Sequence, residues 1–168
     1  MKTIGMIGGV GCILLACLFF FSRKLLYFPA PLSSARSDNI RSMFDAVEEV
    51  YVTAKDGVVL HGWVMKKNLL TLPTIFYFGG NAEEVSLNLE DYWGKLDVNV
   101  ILINYRGYGK SQGRPAESDL KSDALTIYDT MVNQLGLKPG RTIAWGRSLG
   151  SSIACFLALE RNLPGLIL

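Results

Sequence analysis

Hydrophobic positions along the chain fall into two regimes. From Ile4 to Phe21 there are 18 residues without a charge, ending in the run Leu18, Phe19, Phe20, Phe21. As a helix rising about 1.5 Å per residue, this stretch is roughly 27 Å long, close to the ~30 Å hydrocarbon core of a bilayer. Lys2 stands on one side and Arg23 and Lys24 on the other. Leu25, Leu26, Tyr27 and Phe28 supply interfacial side chains before Pro29 and Pro31 stop any helix. The most apolar residues come last, which is the wrong flank for a signal-peptide cleavage site. The same holds for the loose lipoprotein box Leu14-Leu15-Ala16-Cys17. The expectation is therefore a retained transmembrane anchor over residues 1–24, with residues 4–21 in the bilayer. Positive charge on both flanks leaves the orientation open.

Residues 25–45, with Ser33, Ser34, Ser37 and Asp38, read as a linker carrying a short helical turn near Ile40 to Phe44. Over residues 46–168 the pattern changes to strands alternating with amphipathic segments. Val50 to Ala54 and Val58 to Met65 flank Lys55-Asp56-Gly57, whose Asp-Gly pair signals a hairpin. Thr74 to Phe78 and Val98 to Asn104 are continuous apolar runs, as in strands covered on both faces. Between them Glu83 to Leu96 is expected as a helix with Val85, Leu89 and Trp93 on one stripe. Ser118 to Leu135 repeats the pattern with Leu120, Ala124, Ile127, Tyr128 and Met131, started by Glu117 and Asp119 and closed by Gly136. Pro139-Gly140 turns the chain into a strand at Thr142 to Trp145, and Leu163 to Leu168 reads as a sixth strand. Two antiparallel strands followed by alternating β and α segments predict an α/β fold with a mostly parallel sheet.

Composition narrows the function. The 168 residues carry 17 Lys+Arg against 15 Asp+Glu, a net charge of +2 with no long basic run, which argues against a nucleic-acid partner. An apolar fraction of 49% with 19% charged residues excludes a disordered tail. Three Cys form neither a disulfide framework nor a C-x-x-C pair, so no metal is expected. Gly109-Lys110-Ser111 imitates the end of a phosphate-binding loop, but Asn104 stands where that loop needs Gly and Gln112-Gly113-Arg114-Pro115 follows where a helix should open. No cofactor is expected.

The chemistry concentrates at Gly146-Arg147-Ser148-Leu149-Gly150, a G-x-S-x-G sequence between a short strand and a helical pattern (Ile153, Ala154, Phe156, Leu157). A sharp strand-to-helix turn forces its central residue into a strained backbone, and both flanks must lack bulk where they meet neighbouring chain. The helix start behind Ser148 offers free N–H groups to a developing oxyanion. Phe78-Gly79-Gly80-Asn81-Ala82 is the loop expected to supply a second donor. The candidate site is thus Ser148 as nucleophile, with the backbone N–H groups of Asn81 and Leu149 as an oxyanion hole.

Tyr77 to Ala82, Asn104 to Pro115 and Trp145 to Gly150, in that order, resemble the α/β-hydrolase superfamily. Within it the likeness is to the bud-emergence-like and serine-aminopeptidase-like hydrolases, many of which carry one N-terminal membrane helix. The resemblance runs from about Leu25 to Leu168. It implies an α/β-hydrolase fold, here reaching about the sixth strand, and an esterase, thioesterase or peptidase acting on a small acyl or peptide substrate through a Ser, a later Asp and a last His. Gly79 stands where that family usually has His, and Asn104 where it usually has Asp. After Ser148 this sequence contains Glu160 but no Asp and no His. The sequence holds one His, His61, mid-run in an early strand and expected to be structural. Asp119, Asp123 and Asp129 are expected on a solvated helix face, and Lys110 and Arg147 as surface charges. Two readings follow. One is a membrane-anchored serine hydrolase whose acid and His lie beyond these residues, so that the 168-residue chain is inactive. The other is a non-catalytic, membrane-tethered half-domain with a binding role or none. Substrate, membrane side and oligomeric state stay open.

Overall fold

The computed structural model describes residues 26–89 and 93–168, so the expected anchor at residues 4–21 lies outside the described residues. Among the described residues no helix is long and apolar enough to cross a membrane. Strands β1 (Val47–Thr53) and β2 (Val59–Met65) form the expected antiparallel hairpin, with Gly57 at φ +86° in its turn. Beyond it come β3 (Thr74–Phe78), β4 (Asn99–Ile103), β5 (Thr142–Gly146) and β6 (Gly165–Ile167). The six strands make one sheet in the order β1-β2-β4-β3-β5-β6, parallel from β4 to β6. β2 pairs antiparallel with β4.

Side-chain alternation explains the continuous apolar runs. Phe76, Phe78, Ile101 and Ile103 point to one face, where helices α2 (Glu117–Leu135) and α3 (Leu149–Arg161) cover them with Leu120, Ile127, Met131, Ile153 and Leu157. Ile75, Tyr77, Val100 and Leu102 point to the other, against Val85, Leu89 and Trp93. α2 begins without a side-chain cap, its acidic first turn facing the helix N-terminus. It ends at Gly136, left-handed at φ +60° with its N–H donating to the Val132 carbonyl.

Two segments depart from the sequence expectation. The stretch expected to be a linker contains a regular helix, α1 (Ser34–Met43), capped by the Ser33 hydroxyl accepting from the Arg36 N–H. Ile40 on α1 is fully buried, so this segment packs on the sheet rather than spacing it from anything. Glu83 to Leu96 is not a helix in its described part: it forms two short 3₁₀ turns, Val85–Asn88 and Trp93–Lys95. The reason lies in its polar ends. The Glu84 carboxylate accepts from the Ser86 N–H and hydroxyl, and the Val85 N–H donates to Asn104 Oδ1, which draws the first turn off the helical ladder. Gly94 adds a helix-weak residue at the far end. Val85, Leu89 and Trp93 are nonetheless all buried on one cluster, so the stripe was right and the ladder was not.

Candidate active site

The β5–α3 turn carries Ser148 at φ +52°, ψ −113°, a backbone region that L-residues rarely occupy. Its two glycines are there for contact. A Cβ on Gly146 would lie 2.3 Å from the Gly150 carbonyl oxygen, and one on Gly150 would lie 2.0 Å from the Phe78 carbonyl oxygen. The turn is therefore pressed against the end of β3, and the Arg147 N–H donates to that same Phe78 carbonyl at 3.0 Å. Ser148 is exposed, and its hydroxyl makes no hydrogen bond to the described residues. The N–H of Leu149, at the start of α3, has no acceptor among the described residues either.

The loop after β3 lies beside this turn. A Cβ on Gly80 would come within 3.8 Å of Ser148 Cβ. Gly80, Asn81, Ala82, Glu83, Leu87 and Ser148 share the wall of a cavity of about 280 Å³. The backbone N–H of Asn81 donates to no described acceptor. Ser148, Leu149 and Asn81, nominated from the sequence, are thus brought to one place.

The sequence reading missed what holds the loop. Glu83 is buried and accepts the Gly80 N–H on Oε2 at 2.7 Å and the Tyr77 hydroxyl on Oε1 at 2.7 Å, with Asn88 also donating. Arg147 reaches the same carboxylate at 3.3 Å. Tyr105 donates to the Gly79 carbonyl at 2.8 Å. Burial and the Glu83 carboxylate push the Tyr77 phenol well up, and burial does the same to Tyr105, so both remain donors at neutral pH. A Cβ on Gly79 would press within 3.2 Å of the Glu83 carboxyl, so the glycine in the family's His position leaves room for this acid. The Asn81 side chain ties the loop outward: Oδ1 accepts from the Tyr108 hydroxyl (2.7 Å) and the Phe28 N–H (3.0 Å), and Nδ2 donates to the Leu26 carbonyl (2.7 Å). Ala82, at φ +60°, completes the bend.

The remaining ionisable candidates are engaged elsewhere. His61 is fully buried, with Nε2 2.9 Å from Glu49 Oε1 and Nδ1 3.3 Å from the Asn104 amide nitrogen. The amide aims a donor at Nδ1, which assigns the neutral ring with its proton on Nε2. Burial, then Lys110, pushes its pKa down to about 4. Asn104, in the family's Asp position, also donates to Glu84 (3.0 Å) while accepting the Val85 N–H. Lys110, expected as a surface charge, is tied down: its ammonium donates to Ser37 and Glu49, both at 2.7 Å, and the neighbouring Ser111 hydroxyl donates to the Asn104 carbonyl. Arg147 is exposed, as expected, but pairs with Glu83. Asp123 is a correction. It is buried and takes Nε and Nη2 of Arg106 at 2.7 and 2.8 Å, while Asp56 in the hairpin turn takes the other edge of the guanidinium. Its position three residues after Leu120 and four before Ile127 puts it on the apolar stripe, a signal the sequence contained. Asp129 does face solvent, paired with Arg161. Among the described residues no group of three or more His, Cys, Asp or Glu side chains is placed to hold a metal ion.

The family model described as "alpha/beta hydrolase fold" matches residues 58–167. The chain belongs to the α/β-hydrolase superfamily and is of the bem46 type. It is 32% identical to the alpha/beta hydrolase domain-containing protein WAV2 of Arabidopsis thaliana, over 94% of this chain and 52% of that protein. It is 28% identical to protein bem46 of Schizosaccharomyces pombe, over 91% of this chain and 54% of that one. The chain thus spans about half the length of these relatives. Among solved structures, an alpha-beta hydrolase of Vibrio vulnificus superposes with a TM-score of 0.66 at 21% identity, over 80% of this chain and 49% of the other. A Pyrococcus furiosus esterase gives 0.60 at 18%, over 80% and 52%. At these identities the structural likeness speaks for the fold alone.

Proposed function

We propose that the protein is a membrane-anchored serine hydrolase that cleaves acyl esters, thioesters or peptide bonds through Ser148. The observation that carries this reading is the strained, exposed serine at the β5–α3 turn, its hydroxyl unpartnered beside two unpaired backbone donors. The hydroxyl oxygen attacks the acyl carbonyl carbon. The carbonyl oxygen, now an oxyanion, takes the N–H groups of Asn81 and Leu149, and collapse expels the alcohol, thiol or amine to leave an acyl-serine that water releases. The serine proton needs an acceptor. His61 is a poor one, because its Nε2 proton already serves Glu49 and its Nδ1 faces the Asn104 amide. These 168 residues by themselves therefore react slowly, since general base catalysis is worth on the order of 10²- to 10⁴-fold.

Labelling by a fluorophosphonate, which phosphonylates activated serines, tests both halves of the reading. We expect negligible labelling of the 168-residue chain alone. Added imidazole, a diffusible base small enough for the cavities beside Ser148, should raise labelling severalfold in the wild type and not in Ser148→Ala. Equal labelling of the two proteins in imidazole would remove Ser148 from the role.

A further inference from the structure

The residues that follow the expected anchor are bound directly to the oxyanion loop. Leu26 and Phe28 hold both ends of the Asn81 side chain, through the Leu26 carbonyl on Nδ2 and the Phe28 N–H on Oδ1. The Phe28 N–H also lies 3.2 Å from the Tyr108 hydroxyl. Farther along, Gly109 donates to the Ala30 carbonyl at 2.8 Å and accepts from the Leu32 N–H at 3.3 Å, with Pro31 bridged to it. Residues 26–32 are thereby fastened to the loop after β3 and to the turn at Gly109. Four residues lie between Phe21, the end of the apolar run, and Leu26, and even a fully extended chain covers only about 18 Å over those five steps.

Apolar side chains are exposed on this strap and on the segment that follows the β3 loop. Leu26 is 62% exposed, Phe28 56% and Leu87 53%, and Leu87 lines the same cavity as Ser148. The Arg147 side chain, 65% exposed at that cavity, brings positive charge to the same rim. Exposed leucine and phenylalanine beside a cation, at the end of a bilayer-length apolar run, match the layered chemistry of the membrane interface: acyl chains beneath, anionic headgroups above.

We propose that the face bearing Leu26, Phe28 and Leu87 rests in the interfacial layer of the bilayer that holds residues 4–21, so that Ser148 meets acyl groups at the membrane surface rather than in bulk water. This rests on the anchoring reading above but not on the reactivity of Ser148. Asn81 is the joint, one side chain fixing both the oxyanion loop and the membrane-proximal strap. Substrates admitted this way are acyl groups borne by bilayer lipid.

The test places an environment-sensitive fluorophore on the full chain, with Cys12, Cys17 and Cys155 changed to Ser, in vesicles of phosphatidylcholine and phosphatidylglycerol. Leu87→Cys carries the label in one protein and Leu70→Cys in another. Leu70 is 80% exposed, and its carbonyl accepts from Arg141 just before β5, at the end of the strands opposite Ser148. Lipid bearing a nitroxide near the headgroup should strip emission from position 87 and leave position 70 bright. Phe28→Cys should behave as position 87 does, and it replaces that variant should Leu87→Cys not fold. Chain that floats with the vesicles while position 87 stays bright overturns this inference and leaves the anchor standing. Chain that does not float with vesicles at all overturns the anchor and this inference with it, while the fluorophosphonate result stands apart.

Discussion

Gly150 and Gly57 both sit in turns, for opposite reasons. Gly57 needs its φ of +86° and has open space around it, so Gly57→Ala should cost about 1 kcal/mol, the ordinary price of a left-handed L-residue. Gly150 needs space: its Cβ would lie 2.0 Å from the Phe78 carbonyl oxygen, backbone against backbone. Gly150→Ala should cost about 3 kcal/mol or more and loosen the elbow from β3. Urea unfolding of the two variants checks the ranking, and equal midpoints would contradict the packing. His61 gives a pH signature. Its pKa is depressed to about 4 in the fold against an ordinary 6.5, so the unfolded chain takes the proton first as pH falls. Above about pH 6.5 the ring contributes nothing to pH dependence, and stability declines between about 6.5 and 4 by up to about 3 kcal/mol. As the sequence holds a single His, His61→Gln should flatten urea midpoints over the upper part of that window. An unchanged slope would place the titration elsewhere. At this scale the meeting of Ser148, Leu149 and Asn81 at one place could be read from the chain because motif spacing fixes backbone position. Glu83 and Tyr105 could not, since their partners are set by which loops meet.

Ion pairs between elements differ sharply in worth. Arg106, on the loop after β4, is buried between Asp123 of α2 and Asp56 of the β1–β2 turn, joining three elements through one guanidinium. Asp123→Asn leaves that buried cation short of a partner and should cost about 3 kcal/mol. Arg161 and Asp129 join α3 to α2 at the surface, and Asp129→Asn should change stability by less than about 1 kcal/mol. Thermal unfolding of both variants decides, and comparable losses would contradict the assignment of Asp123 to the interior. Strands and α2 were legible because their periods are unambiguous: five-residue apolar runs covered on both faces, and a 19-residue helix with a glycine stop. The 83–96 segment was not. Its apolar stripe has helical spacing, but Glu83 and Glu84 turn their carboxylates to Gly80 and Ser86 close by in the chain, and the Val85 N–H goes to Asn104 across the fold, a partner that spacing does not show. Likewise α1 looked like a linker because only Ser37 and Ile40 of its ten residues are buried.

For the molecule as a whole, the parallel sheet brings the C-terminal ends of β3 and β5 side by side, which is why a serine from one loop and an amide from another share one cavity. The hairpin with His61 lies at the other side of the sheet, with β4 and β3 between β2 and β5. That separation fits the reading of His61 as a structural residue of an early strand, and Glu83, the carboxylate that lines the cavity with Ser148, is already engaged by Tyr77, Gly80, Asn88 and Arg147. The central claim is a hydroxyl poised for acyl attack without a base of its own. The most direct measurement is the rate of phosphonylation at Ser148 of the 168-residue chain as a function of pH, followed by mass spectrometry of the modified peptide. Without a resident base only the alkoxide reacts, so the rate should climb in proportion to hydroxide from about pH 6 to about pH 10 with no break. A plateau with an inflection near pH 7 would mean that a side chain within these residues already takes the proton, and would contradict the account.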